Sequence, residues 1–128
     1  MKLTKSVALL VFPLILAAAL LATGEKAATI TVKGYVLDSA CVFTKGTTKP
    51  LAEGCAALCA KAGSPLVILA ADGVVYWPVS QAPPAIGQNP KLLPFAGQKV
   101  AATGKVYRRG GSCAIVIEKI EPLSEEKQ

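Results

Sequence analysis

From Thr29 to Leu37 apolar and polar side chains alternate, with Ile30, Val32, Gly34 and Val36 on one set of positions and Thr29, Thr31, Lys33 and Tyr35 on the other. Successive side chains of an extended strand point to opposite faces, so a period of two marks a half-buried strand. The pattern returns further along the chain. Leu66 to Ala71 and Val74 to Val79 are β-rich runs separated by Asp72-Gly73, a strong hairpin signal. In Gln98 to Arg108, Val100, Ala102, Gly104 and Val106 alternate with polar partners, and Gly110-Gly111 then turns the chain into an alternating run over Ser112 to Pro122. This makes a second hairpin and a total of five strands. Ser80 to Pro90 contains Pro83, Pro84 and Pro90, which suits a long exposed loop and not a central strand.

One stretch follows the other period. Leu51, Cys55, Leu58, Cys59 and Ala62 recur at helical spacing, and Gly63 followed by Ser64-Pro65 supplies helix-stop chemistry, so a helix is predicted over 51–62. Asp38 to Pro50, with Gly46, Thr47, Thr48 and Pro50, reads as a loop carrying Cys41, and Leu92 to Ala96 as a helical turn. Gly34 and Gly104 lie inside strands, where glycine marks a bulge or the tight bend that closes a barrel. The expected fold is mainly β with one helix: a small five-stranded barrel, its helix following the first strand and plugging one end.

The first residues have a separate logic. Lys2 and Lys5 precede an apolar run from Val7 to Leu21, and Ala22-Thr23-Gly24 offers small residues at a cleavage site, the order of a secretory signal. The run is shorter than the roughly 20 apolar residues a membrane span needs, so membrane contact is expected only through this segment if it stays uncleaved. The predicted organisation is a signal peptide over 1–24, a single β domain over 25–122 and a solvated tail over 123–128, in a protein exported to the periplasm or secreted. The formal net charge is +6, of which Lys2 and Lys5 supply two charges. The basic residues are scattered, Arg108-Arg109 being the one adjacent pair, and aromatics make up only 5% of the chain, so no nucleic-acid partner is expected.

The segment Ala96-Gly97-Gln98-Lys99-Val100-Ala101-Ala102-Thr103-Gly104-Lys105-Val106, followed by a turn and an alternating Ile/Val strand, resembles the closing hairpin of small exported OB-like domains. The larger arrangement is Gly34-Tyr35-Val36-Leu37-Asp38 leading to Cys41, then Cys55-Ala56 and Cys59 on a helix, then Gly63-Ser64-Pro65. It is similar to a group of exported bacterial proteins of that kind. The resemblance implies an OB-like five-stranded barrel and assigns no activity, because one fold hosts many functions. It has one departure: an OB-fold carries its helix between the third and fourth strands, whereas the helix predicted here follows the first.

All four cysteines, Cys41, Cys55, Cys59 and Cys113, fall within the predicted domain. An even count in a small exported domain points to a disulfide framework, with three possible connectivities. Cys55 and Cys59 sit one helical turn apart, with Cβ atoms about 5–6 Å from each other where a disulfide needs about 3.8 Å, so that pair is disfavoured. Cys41 would then join one helix cysteine and Cys113 the other, in either arrangement.

The alternative is a thiolate metal site. Cys41, Cys55 and Cys59 supply the low-coordinate sulfur set that Cu(I) favours, and Cys113 would make a fourth ligand for tetrahedral zinc. The chain has no histidine, which excludes mixed Cys/His metal sites and the Ser-His-Asp and Cys-His catalytic arrangements. A thiol redox role fits less well, since Cys-x-x-x-Cys is one residue longer than the usual redox spacing and lies mid-helix.

Of the carboxylates, Asp72 is explained by its turn and Glu53 by a first helical turn, while Asp38, three before Cys41, reads as a cap or as a hydrogen-bond acceptor behind a ligand. Tyr35, Tyr76 and Trp77 are candidates for an aromatic rim at a barrel mouth that takes a peptide or glycan, or else for core positions. The sequence thus points to an exported, disulfide-stabilised, non-enzymatic binding or structural module of the cell envelope without a cofactor. Its alternative is a copper- or zinc-binding thiolate protein.

Overall fold

The computed structural model describes residues 27–124, so the predicted signal segment and the last four residues of the predicted tail lie outside it. Strands β1 (Ala28–Asp38), β2 (Leu66–Ala70), β3 (Val75–Pro78), β4 (Lys99–Arg109) and β5 (Ser112–Pro122) close into one barrel in the order β1-β2-β3-β5-β4. All neighbours are antiparallel except β3 and β5, which run parallel. Both predicted hairpins form. At the first, Asp72 Oδ1 accepts a hydrogen bond from the Val74 N–H at 3.0 Å, which fixes the turn locally.

Closure depends on the two strand glycines. β1 pairs with β4 over Ala28–Tyr35 and with β2 over Gly34–Asp38, so it changes partner at Gly34, where a Cβ would collide with the Leu69 carbonyl. The β4–β5 ladder shifts register between Thr103 and Gly104, and a Cβ on Gly104 would collide with the Val116 carbonyl. Strands bend and approach this closely only where the side chain is missing.

Inside, Val32, Val36, Ile68, Tyr76, Val100, Ala102, Val106, Cys113, Ile115 and Ile117 form the core, joined by Ala56, Ala60 and Leu92 from helices. The alternation expected from the sequence is therefore the alternation between barrel interior and exterior.

The helical content differs from expectation. In place of one helix after the first strand, the described residues contain three short ones: α1 (Ser39–Lys45), α2 (Cys55–Lys61) and α3 (Asn89–Leu92), the last running into a 3₁₀ turn over Leu93–Phe95. α1 occupies the stretch predicted as loop. Asp38 caps its start and Gly46, with φ 61°, ends it in the left-handed conformation that glycine adopts without strain. α2 is shorter than predicted because Gly54, with φ 76°, stands at its N-cap and cuts off the residues before it. α3 and the 3₁₀ turn fill the connection between β3 and β4, so helical segments stand both after the first strand and before the fourth. No helix among the described residues is long and apolar enough to cross a membrane.

Candidate metal centre

The site begins where β1 ends. Asp38, only 3% exposed, turns its carboxylate back over the start of α1: Oδ1 accepts from the Cys41 N–H and Oδ2 from the Ala40 N–H, both at 3.3 Å. Oδ2 also accepts from the Ser64 hydroxyl at 2.5 Å. A buried carboxylate needs such hydrogen-bond donors in place of water, and here they come from the first turn of α1 and from Ser64, just past the end of α2. Cys41 is thereby fixed in the first turn of α1, beside Asp38.

The second half comes from α2. Ala56 and Ala60 face the barrel core; Cys55 and Cys59, each one position earlier and so turned by about 100°, stay half-buried. Asn89 anchors the far end of this helix. Its Nδ2 donates to the carbonyls of Ser64 at 2.7 Å and Ala60 at 3.4 Å, while its Oδ1 accepts from the Leu66 N–H at 2.8 Å. In the sequence Asn89 carries only one local signal, the Asn-Pro pair it forms with Pro90, which does not mark it as an anchor.

These elements bring Asp38, Cys41 and Cys59 together, with one ligand atom from each lying within 4.8 Å of the others. Cys55 hydrogen-bonds to Cys59 and lines the same pocket as Asp38 and Cys41. Partial burial pushes the Cys59 thiol above its ordinary pKa, and the neighbouring Asp38, Cys55 and Cys41 push it in the same direction. Three thiols and a carboxylate crowded together repel one another once ionised, and a bound cation would relieve that repulsion. Ligand atoms around a zinc ion with 2.3 Å Zn–S bonds stand about 3.8 Å apart, so the group needs to tighten by only about 1 Å.

The expected disulfide framework is not formed: all four cysteines carry free thiols. Cys113 stands apart in its surroundings. That residue is buried in the barrel core on β5, opposite Tyr76 and Arg108 in the ladders, and its Sγ accepts a hydrogen bond from Arg108 Nη1 at 2.9 Å. It is not among the ligand atoms gathered at Asp38, which are those of Asp38, Cys41 and Cys59.

The proposed aromatic rim also divides. Tyr76 is 6% exposed and belongs to the core, whereas its neighbour Trp77 points to the other side of β3 and stacks on Phe43 of α1, with ring centroids 5.9 Å apart and planes 18° from parallel. Tyr35 lies half-buried on β1, opposite Leu69 and Lys99. The three do not make one surface.

The chain matches no protein-family model, no curated protein and no solved structure. Its chemistry therefore rests on the site itself.

Proposed function

We propose that this protein is an exported, OB-like barrel module that binds one soft metal ion, Cu(I) or zinc, through the thiolates of Cys41, Cys55 and Cys59. Asp38 orients the ligand-bearing turn. The observation that carries this reading is the convergence of Asp38, Cys41 and Cys59 within 4.8 Å, with Cys55 hydrogen-bonded alongside. The OB-like label is supported by the closed order β1-β2-β3-β5-β4 and by the helical segment between β3 and β4. The role is binding, not catalysis. Sulfur ligands without imidazole select soft or borderline ions, and such ligands bind as thiolates, so loading releases protons.

The test is elemental analysis of protein purified anaerobically from its own host, followed by titration of the metal-free form with Cu(I) and with zinc. One ion per chain, lost in Cys59→Ser, supports the reading; no retained metal and no stoichiometric uptake of either ion overturns it.

A second reading has its own observation. The Sγ atoms of Cys41 and Cys59 are close enough that a side-chain rotation would let an exogenous disulfide oxidant join them, taking up the two protons and two electrons released. Intact mass after alkylation of the unreduced protein separates the two: Cys41 and Cys59 both resistant to alkylation establishes a bond, and both labelled establishes free thiols.

A further inference from the structure

Beside the thiols lies a small pocket whose polar lining consists of Asp38, Cys41, Cys55 and Thr47, the rest being aliphatic, such as Leu37, Pro50 and Ala56. Thr47 is the unusual member. It is 7% exposed, and its Oγ1 is buried without any hydrogen-bond partner, the one such side-chain atom among the described residues. Buried hydroxyls are nearly always paired, so a solitary one calls for an explanation. The backbone holds it in place. The N–H of Gly46 and the N–H of Thr47, the latter at 3.3 Å, both donate to the carbonyl of Cys41, which folds the end of α1 back over the ligand-bearing turn. Thr47 is thus tied to Cys41 by main-chain bonds, and its hydroxyl is left unused at the wall of the thiol pocket. The pocket has a volume of about 20 Å³. A single water molecule needs about 10–15 Å³ by the same measure, together with two to four polar partners.

The carboxylate of Asp38 is already committed to three donors, Ala40, Cys41 and Ser64. The three cysteines alone leave a four-coordinate ion one ligand short. We propose that the metal centre is an open one, whose remaining position faces the Thr47 pocket and takes a small exogenous donor, a water molecule at rest, held by the Thr47 hydroxyl. The inference rests on the metal-binding reading above. It adds that the centre can exchange that ligand, as closed structural zinc sites do not.

The experiment uses the reduced protein loaded anaerobically with Co(II), a spectroscopic stand-in for zinc, and titrated with azide. An open centre gives one cobalt per chain and a d–d spectrum that shifts to a single-site end point with azide while cobalt stays bound. Thr47→Val keeps the cobalt stoichiometry and weakens azide by about tenfold; Thr47→Ser, which keeps the hydroxyl, restores the affinity. Cobalt bound with a spectrum indifferent to azide overturns the open position and leaves the metal-binding reading standing. Azide affinity unchanged in folded Thr47→Val overturns the assignment to this pocket. Failure to bind cobalt, Cu(I) or zinc at all overturns both proposals together.

Discussion

Cys113 and the three cysteines at the helical end are the same chemical group in opposite situations. Cys113 is packed in the barrel core, where an arginine satisfies its sulfur, and the strand ladder on both sides fixes its place. Cys41, Cys55 and Cys59 stand half-buried on two short helices, surrounded by one another and by a carboxylate, and the Cys59 thiol is driven above its ordinary pKa by its burial first and by that company second. In the barrel wall the sulfur has a hydrogen-bond donor from the same wall; at the helical end the thiols face one another and a carboxylate. Function is sought where the local chemistry is incomplete, and that is where ligands are expected.

The largest effect separates the two regions directly. Loss of an outer hydrogen-bond partner typically lowers metal affinity 10–100-fold, so loss of a thiolate ligand should exceed about 100-fold. Cys41→Ser or Cys59→Ser is therefore expected to abolish stoichiometric binding in a competitive chelator titration, while Cys113→Ser binds one ion as the parent does. Equal losses in all three variants would erase the distinction.

The reverse experiment attacks the wall. In Gly104→Ala the new Cβ meets the Val116 carbonyl at the register shift, a backbone atom that cannot move without opening the β4–β5 ladder. Overpacking of this kind costs about 1–3 kcal/mol, and the upper end is expected here because the obstacle is main chain. Urea unfolding should show a lower midpoint. Metal affinity measured below the transition should be unchanged, since Gly104 touches no ligand.

A smaller effect tests the crowding at the helical end. The thiolate is the nucleophile, and a raised pKa leaves Cys59 with less of it at neutral pH than an ordinary cysteine has. Its alkylation rate in the metal-free protein should keep rising with pH beyond the point where an unperturbed thiol levels off. In Asp38→Asn, which removes one negative neighbour, the plateau should move to lower pH. Rates read by peptide mass spectrometry decide the matter; a Cys59 profile identical to that of a short cysteine peptide would contradict the assigned cause.

Much of the barrel is legible in the sequence because alternation, Asp72-Gly73 and Gly110-Gly111 are local signals that tertiary packing merely reuses. Gly34 and Gly104 are likewise visible as oddities within strands. The helices are less so. Asp38 and Gly46 bracket seven residues as start and stop signals, but the loop punctuation of Thr47, Thr48 and Pro50 directly after them masks so short a helix, and Gly54 inside an Ala-rich helical pattern does not declare itself as the boundary of α2. The candidate ligands Cys41, Cys55 and Cys59 could be named from type and spacing. That Cys113 lies in the core with Arg108 on its sulfur, that Asp38 accepts from Ser64, that the Thr47 hydroxyl is buried without a partner and that Asn89 ties α2 to β2 are consequences of residues meeting in space, which no local pattern encodes.

The smallest predicted effect concerns an aromatic contact between the two regions. Phe43 lies two residues after Cys41 on α1, and its ring stacks on Trp77, the sole tryptophan of the chain, on β3. The surface beside this stack is lined by Cys113 and Arg108, so the stack joins the ligand-bearing helix to the wall that carries the fourth cysteine. Such a pair contributes about 0.5–1.5 kcal/mol beyond its buried area, and both rings are partly open to solvent, which favours the lower figure. Phe43→Leu should therefore lower stability slightly and shift Trp77 emission to the red as its ring gains water. The same residue reports on the site: tightening Cys41 towards Cys59 by about 1 Å around a 2.3 Å-bonded ion moves α1 and with it Phe43, so loading the parent with zinc should change Trp77 emission. In Phe43→Leu the ion should still bind with its stoichiometry intact while the emission change is lost. If zinc binds and Trp77 responds equally in both proteins, α1 does not carry the movement, and the helical end and the wall are mechanically independent.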